Sequence, residues 1–200
     1  MVSSTPASSA RPGGGRRRRA DAEQNIARIV KAARSGLGAN PALATDDIAR
    51  AAGVGRMTLY GHFRTRADLV EAALADALRA GEETLSALDL TGDARQAMIR
   101  LLESSWSLVA ESSALLTAAQ GVLPASQLRE LHATPAQRME ALIRRGKDEG
   151  AFRAGMPIDW LVSLVQYILH GAAEEVRAGR VEESEAADLV QKSVLSVLDA

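Results

Sequence analysis

A twelve-residue stretch, AGVGRMTLYGHF from Ala52 to Phe63, concentrates side chains suited to a polyanion and to the edges of bases. The Arg56 guanidinium can donate two hydrogen bonds to guanine O6 and N7, while Met57 and the Thr58 methyl group can touch a thymine methyl. A helix with a purely structural role needs none of these groups on its polar side. The stretch therefore favours contact with a nucleic acid.

The same stretch predicts a short helix that begins near Gly55 and turns these groups outward. At about 100° per residue, Leu59 and Phe63 lie about 40° apart and anchor one face by i,i+4 packing. The opposite face then presents Met57 and Gly61. The side chains that flank them are Arg56, Thr58, Tyr60 and Arg64.

A second short helix is predicted just before this one, with Thr45 as its N-cap. Gly53 fits the left-handed position that ends such a helix. Two short helices joined by a glycine-containing turn form a helix-turn-helix unit, in which the N-terminal residues of the second helix contact bases. An ordinary pair of packed helices is the alternative, since short helices with one Arg and one Tyr are common.

Charge is unevenly distributed along the chain. Residues 1–80 hold 13 Lys and Arg against 7 Asp and Glu, whereas residues 81–200 hold 11 against 18. The basic N-terminal part favours a polyanionic partner for that part alone. Within it, Tyr60, His62 and Arg66 are candidates for phosphate contacts, which set register rather than sequence.

The first 20 residues are rich in Ser, Pro and Gly and lack an apolar period, which predicts a disordered arm. Its arginines are Arg11, Arg16, Arg17, Arg18 and Arg19. Such an arm can lie along phosphates or enter a minor groove. A solvated tail is the alternative, and a secretory signal is not indicated because the apolar segment is missing.

Composition favours an all-α fold and argues against several classes of protein. Aromatic residues make up 3% of the chain, while Ala, Leu and Arg are frequent. Without cysteine there is no thiol nucleophile or thiolate zinc site, and the three histidines are far apart in sequence, so no cofactor or metal is expected. No HExxH, Glu-x-x-His, glycine-rich phosphate loop or GxSxG motif is present, which makes a helical enzyme using buried carboxylates the weakest hypothesis.

No apolar run approaches the roughly 20 residues of a membrane span. We expect a cytoplasmic protein with no membrane partner.

Helical periodicity divides the chain into a small domain and a larger bundle. The first helix is predicted over residues 21–34, where the segment SGLGANPAL should end it. Asp93 is a candidate cap for a later helix, and the last two helices are predicted over 158–178 and 182–199. The boundaries that follow are 1–20 for the arm, 21–66 for the helix-turn-helix domain, 67–90 for a connecting helix and 91–200 for the bundle.

The segment IARAAGVGRMTLYGHFRTRADLVEAAL closely resembles the DNA-binding signature of the tetracycline-repressor (TetR) family. The resemblance is dense over residues 45–74 and extends faintly over the whole chain. It implies that Arg56, Met57, Thr58 and Tyr60 face DNA and that His62 and Arg66 hold its backbone. The departures are Gly55 in place of a serine cap, Gly61 in place of a larger side chain, and Arg66 in place of lysine.

The resemblance also implies a homodimer whose last two helices pair with their copies. The residues expected in that interface are Leu161, Leu164, Val165, Ile168, Leu189, Val190, Val194 and Leu198. Plain core packing is the alternative use of these faces. A twofold dimer suits DNA because two heads about 34–36 Å apart, or a multiple of that, fit successive major grooves of a pseudo-palindrome.

A ligand cavity between the bundle helices is the last expectation, since bundles build such sites there. Its candidate lining is Trp106, Met139, Trp160, Gln166, Tyr167 and His170, each of which could instead be core or surface. Few charges fall at these positions, which favours a mainly apolar effector. The predicted function is a dimeric repressor that binds an operator in double-stranded DNA and is released by a small ligand. The main alternative is a DNA-binding regulator without an effector, controlled by abundance or a protein partner.

Overall fold

The computed structural model describes residues 14–200, and this part of the chain folds into helices alone, as predicted. The helices are α1 (Gly14–Ala39), α2 (Thr45–Ala51), α3 (Arg56–His62), α4 (Arg66–Leu85), α5 (Ala94–Gln120), α6 (Ala125–Leu131), α7 (Ala133–Asp148), α8 (Ile158–Arg177) and α9 (Glu183–Leu198). An isolated antiparallel bridge joins Phe152 to Asp199. None of the described helices combines the length and the apolar character that crossing a membrane requires.

The first helix extends further at both ends than the sequence predicted. α1 begins at Gly14, inside the segment expected to be disordered. Arg and Ala are strong helix formers, and the added N-terminal turns extend a helix that already exists, so they need no new nucleation step. The helix also continues through Gly36, whose missing Cβ leaves room for the Leu43 side chain. The arm prediction for residues 1–13 lies outside the described residues.

Two hydrophobic cores lie along the molecule. The body core is formed by α5, α7, α8 and α9, with Leu101 and Val165 among its fully buried side chains. The head core joins α1, α2, α3 and the start of α4, and it also takes in Leu115 and Leu116 of α5. α4 and α5 therefore support both the head and the body.

Side-chain caps fix where these two long helices begin. The Thr65 hydroxyl accepts from the Asp68 backbone N–H at 3.1 Å, and the Asp68 carboxylate accepts from the Thr65 N–H at 3.0 Å, which completes a capping box for α4. Asp93 caps α5 as predicted, by accepting from the Gln96 N–H at 2.8 Å.

Candidate nucleic-acid interface and internal cavity

The turn between α2 and α3 is fixed by one glycine. Gly53 adopts a φ of 65°, its N–H bonds to the Arg50 carbonyl, and the Val54 N–H bonds to the Ala49 carbonyl at 3.0 Å. These two bonds form a Schellman motif, which an L side chain at the left-handed position would strain. The predicted role of Gly53 is confirmed. The predicted N-cap is wrong, because Ala44 occupies that position without a side-chain bond and Thr45 begins α2.

The helix α3 has the two faces that its spacing predicted. Leu59 and Phe63 are buried in the head core, while Met57 is 84% exposed. Tyr60 is also exposed, and a Cβ at Gly61 would meet nothing within 4 Å. An exposed methionine beside an open glycine leaves this face free to contact another molecule.

Arg56 stands at the leading end of that face, where two neighbours hold it. Its Nη1 lies 3.0 Å from Asp46 Oδ2, and its Cζ lies 5.7 Å from the Tyr60 ring centroid. Both partners of the ion pair are well exposed, so the pair stabilises the fold by about 1 kcal/mol at most. Arg56 can therefore leave Asp46 for a better acceptor at little cost.

The remaining predicted contacts differ in accessibility. Arg64 is exposed, and Thr58 and His62 are half-buried on α3. Gly55 is the N-cap of α3, as the sequence predicted. Among the arginines expected in the N-terminal arm, Arg18 and Arg19 are exposed on α1, whereas the side chains of Arg16 and Arg17 lie outside the described part of the chain.

Arg66 is placed differently from its predicted role at the DNA backbone. Its Nη1 donates to the Leu43 carbonyl at 2.6 Å and its Nη2 to the Pro41 carbonyl at 2.9 Å. The guanidinium thus fastens the loop between α1 and α2 to the start of α4. A group already committed to two carbonyls is poorly placed for a phosphate, so the structure favours a scaffolding role.

A cavity of about 140 Å³ lies between α1, α4, α5, α7 and α8. Met139, Gln166 and His170 line it, as predicted. Trp106 instead packs in the body core outside this cavity, and Trp160 and Tyr167 are 55% and 74% exposed. The large aromatic residues were misplaced because a helical period shows that a face is apolar but not which neighbour covers it.

The cavity carries more charge than the sequence suggested. Most of its wall is aliphatic, but Arg138 of α7 and Glu82 of α4 form a two-pronged ion pair on it, with Nη1–Oε2 at 2.8 Å. Arg34 and Glu111 also line it. The charges fall in equal numbers of each sign.

Two histidines close one end of the cavity. The rings of His132 and His170 meet edge to face, with centroids 5.9 Å apart. Burial, with a smaller contribution from the nearby His132, lowers the pKa of His170 to about 4. His170 is therefore neutral at neutral pH. Its Nδ1 is buried without a hydrogen-bond partner among the described residues.

The family model described as "Bacterial regulatory proteins, tetR family" matches residues 29–73, which span α1 to α4 of the head. Over these residues the head is similar to the tetR family of bacterial regulatory proteins. No curated protein gives a significant match to the chain.

Solved structures of TetR-like regulators are similar to most of the chain in fold. The regulator LfrR from Mycobacterium smegmatis, in complex with proflavine, superposes with a TM-score of 0.69 at 22% identity, covering 89% of this chain and 98% of that one. A putative TetR-family regulator from Rhodococcus sp. gives 0.65 at 18% identity, with 88% and 100% covered. TylP from Streptomyces fradiae gives 0.64 at 18% identity, with 90% and 88% covered. At these identities the similarity establishes the fold alone.

Most of the side chains expected in a TetR-type dimer interface are buried within this protomer. Leu161, Val165, Val190, Val194 and Leu198 are fully buried in the body core, so they are not free to meet a partner. Leu164 and Ile168 are half-buried, and Leu189 is 45% exposed. The prediction selected the inward faces of α8 and α9. Each of these helices carries apolar residues on two faces, and the more apolar face packs in the chain's own core.

Sequence reasoning missed several residues of the head and of the body. Asp46 holds Arg56, Arg34 reaches the cavity from α1, and Ser105 lines it from α5. These residues come together only through tertiary packing. No local spacing in the sequence signals that α1 and α5 meet at one cavity.

Proposed function

We propose that the protein is a homodimeric transcriptional repressor that binds a pseudo-palindromic DNA operator and releases it when a small ligand enters the body. The observation that carries the DNA-binding part is the outward face of α3. Met57 is the most exposed large apolar side chain of the described residues, and it lies one turn from the open position Gly61. A solitary, fully exposed thioether on a reading helix has a physical use against a thymine methyl.

Arg56 is the expected source of sequence preference. On DNA its guanidinium would exchange the exposed Asp46 carboxylate for guanine O6 and N7, a bidentate contact worth about 1–3 kcal/mol of discrimination. Asp46 would meanwhile keep the free side chain near the binding orientation, which reduces the entropy lost on binding. Arg64, with Arg18 and Arg19 of α1, supplies exposed positive charge for phosphates.

A second copy of the chain is the expected occupant of the exposed face of α8. Trp160, Leu164, Tyr167 and Gly171 fall on one stripe at helical spacing, and Leu189 adds to it from α9. A Cβ at Gly171 would meet nothing within 4 Å, so this glycine leaves room for close approach of another helix. Twofold pairing on this stripe would place two heads on one operator.

The cavity supports the ligand-release part of the proposal. Its volume of about 140 Å³ is close to that of apolar cavities that hold a single benzene ring. LfrR, whose fold is similar, forms a complex with proflavine, which supports a small-molecule ligand for a protein of this fold. A mainly apolar ligand without net charge fits the balanced charges of the wall. Release would follow if the ligand favours a body conformation in which the heads no longer match the grooves.

Selection of bound fragments from sheared genomic DNA tests the proposal and returns the operator. We expect a recurring two-fold symmetric sequence, and Arg56→Ala should relax the preference at one base pair of each half-site. Arg144→Ala is the matched control, because it removes an exposed, carboxylate-paired arginine from α7, far along the chain from the head. Recovery of random fragments by the folded wild-type protein would contradict the proposal.

A further inference from the structure

The cavity lies at the boundary between the two hydrophobic cores. Leu101 and Met139 on its wall belong to the body core, whereas Leu74 and Leu115 belong to the head core. A molecule that enters the cavity would therefore contact side chains of both the head and the body.

Arg34 is the cavity residue that α1, the first helix of the head, contributes. It lies on α1 one residue from Ala33 and three from Leu37, both fully buried in the head core. Its Nη1 donates to Asp76 Oδ2 of α4 at 3.3 Å, and both side chains are partly buried. Among residues 18–200, whose side chains the structure describes, this is the one ion pair that joins α1 to another helix.

Asp76 is held on its other side by α4 itself. Its Oδ1 accepts from Arg79 at 2.7 Å, and Arg79 in turn pairs with Glu83. The Arg79 hydrogen bond is the main reason that the pKa of Asp76 lies below its ordinary value; burial opposes the shift, and the Arg34 bond adds to it. Asp76 is thus a well-held, ionised anchor on α4, whereas Arg34, at the cavity wall, is joined to it by a single 3.3 Å bond.

We infer that occupancy of the cavity is transmitted to the DNA-binding head through the Arg34–Asp76 ion pair. A ligand displaces the Arg34 side chain from the wall, the pair opens, and α1 is released from α4. Since α1 forms one side of the head core against which α2 and α3 pack, the reading helix then loses its fixed orientation. Arg34 acts here as a positioning residue, and the inference rests on the proposed function.

A double-mutant cycle tests this coupling without an identified ligand. Ser105→Phe adds one aromatic ring to the cavity and imitates occupancy, and Asp76→Asn removes the anchor. Ser105→Met is a second, more flexible filler in case the phenylalanine variant does not fold. Glu83→Gln is the matched control, because it neutralises a carboxylate on the same helix whose ion pair reaches neither α1 nor the cavity. Operator affinity and melting temperature are measured for each variant.

We expect Ser105→Phe and Asp76→Asn each to lower operator affinity by at least about fivefold, the lower end of usual allosteric couplings. The double variant should bind no more than about twofold worse than Asp76→Asn alone, and Glu83→Gln should bind as the wild type does. Arg34→Lys should retain part of the coupling, whereas Arg34→Met should behave as Asp76→Asn.

Two results would overturn the inference. One is multiplication of the two effects in the double variant, which would show that the filler acts by another route. The other is an Asp76→Asn affinity equal to that of Glu83→Gln. If the wild type binds no operator at all, the proposed function fails instead, so the two failures are distinguishable.

Discussion

Replacing Arg66 by methionine separates its scaffolding role from the phosphate contact that the sequence predicted. The change keeps the apolar stem but removes two hydrogen bonds, to the carbonyls of Leu43 and Pro41. Hydrogen bonds from a charged group contribute about 1.5–3 kcal/mol each, and partial exposure places this pair at the lower end, at about 3 kcal/mol together. For a chain of this length that corresponds to a loss of roughly 6–12 °C in melting temperature.

Arg64→Met is the matched comparison, two residues away and exposed. It should leave the melting temperature unchanged. It should also reduce the slope of log K for operator binding against log salt by about 0.9, the loss of one phosphate contact. Arg66→Met should leave that slope unchanged when measured well below its melting temperature. An unchanged melting temperature with a reduced slope for Arg66→Met would refute the scaffolding role.

Three further predictions concern an open glycine, a buried histidine and the exposed stripe of α8. Gly61→Ala should raise the free energy of unfolding by about 0.5–1 kcal/mol, since the new methyl group meets nothing and alanine favours helix. It should also weaken operator binding if DNA approaches Gly61 closely. Unchanged binding would place the DNA further away. The pKa of His170 is about 4 in the folded protein and 6.5 in the unfolded chain, so the unfolded chain takes up a proton first as the pH falls. The free energy of unfolding should therefore decrease between pH 6.5 and pH 4, by up to about 3 kcal/mol. His170→Gln should flatten that part of the melting curve against pH, and an identical curve would contradict the assigned burial effect. Tyr167→Glu should give a folded monomer in sedimentation, whereas Val194→Glu should unfold the protomer; a Tyr167→Glu dimer would exclude the stripe as the interface.

The head was predictable from sequence because its signals are local. Gly53, Leu59 and Phe63 each act within one or two helical turns, so their spacing alone indicates the turn and the buried face. The same helical spacing predicted that Met57 points outward, and its side chain is exposed in the structure.

Contacts that join distant segments were less predictable, in the head and in the body alike. Arg66 looks like a free cation in the sequence, and only the folded loop supplies carbonyls 23 and 25 positions away. Val165 and Tyr167 both suit an apolar helix face, yet one is buried and the other is exposed. Periodicity shows that a face is apolar, but tertiary packing decides whether the core or a partner covers it.

The most direct test of the central claim is footprinting of the operator with the pure, folded protein at near-physiological salt. The outward face of α3 predicts a protected, two-fold symmetric sequence whose half-site centres lie about 34–36 Å apart or a multiple of that. Arg56→Ala should protect the same positions only at higher protein concentration, whereas Arg144→Ala should protect them as the wild type does. Absence of any protected sequence, with protein that is folded and bound only non-specifically, would contradict the account.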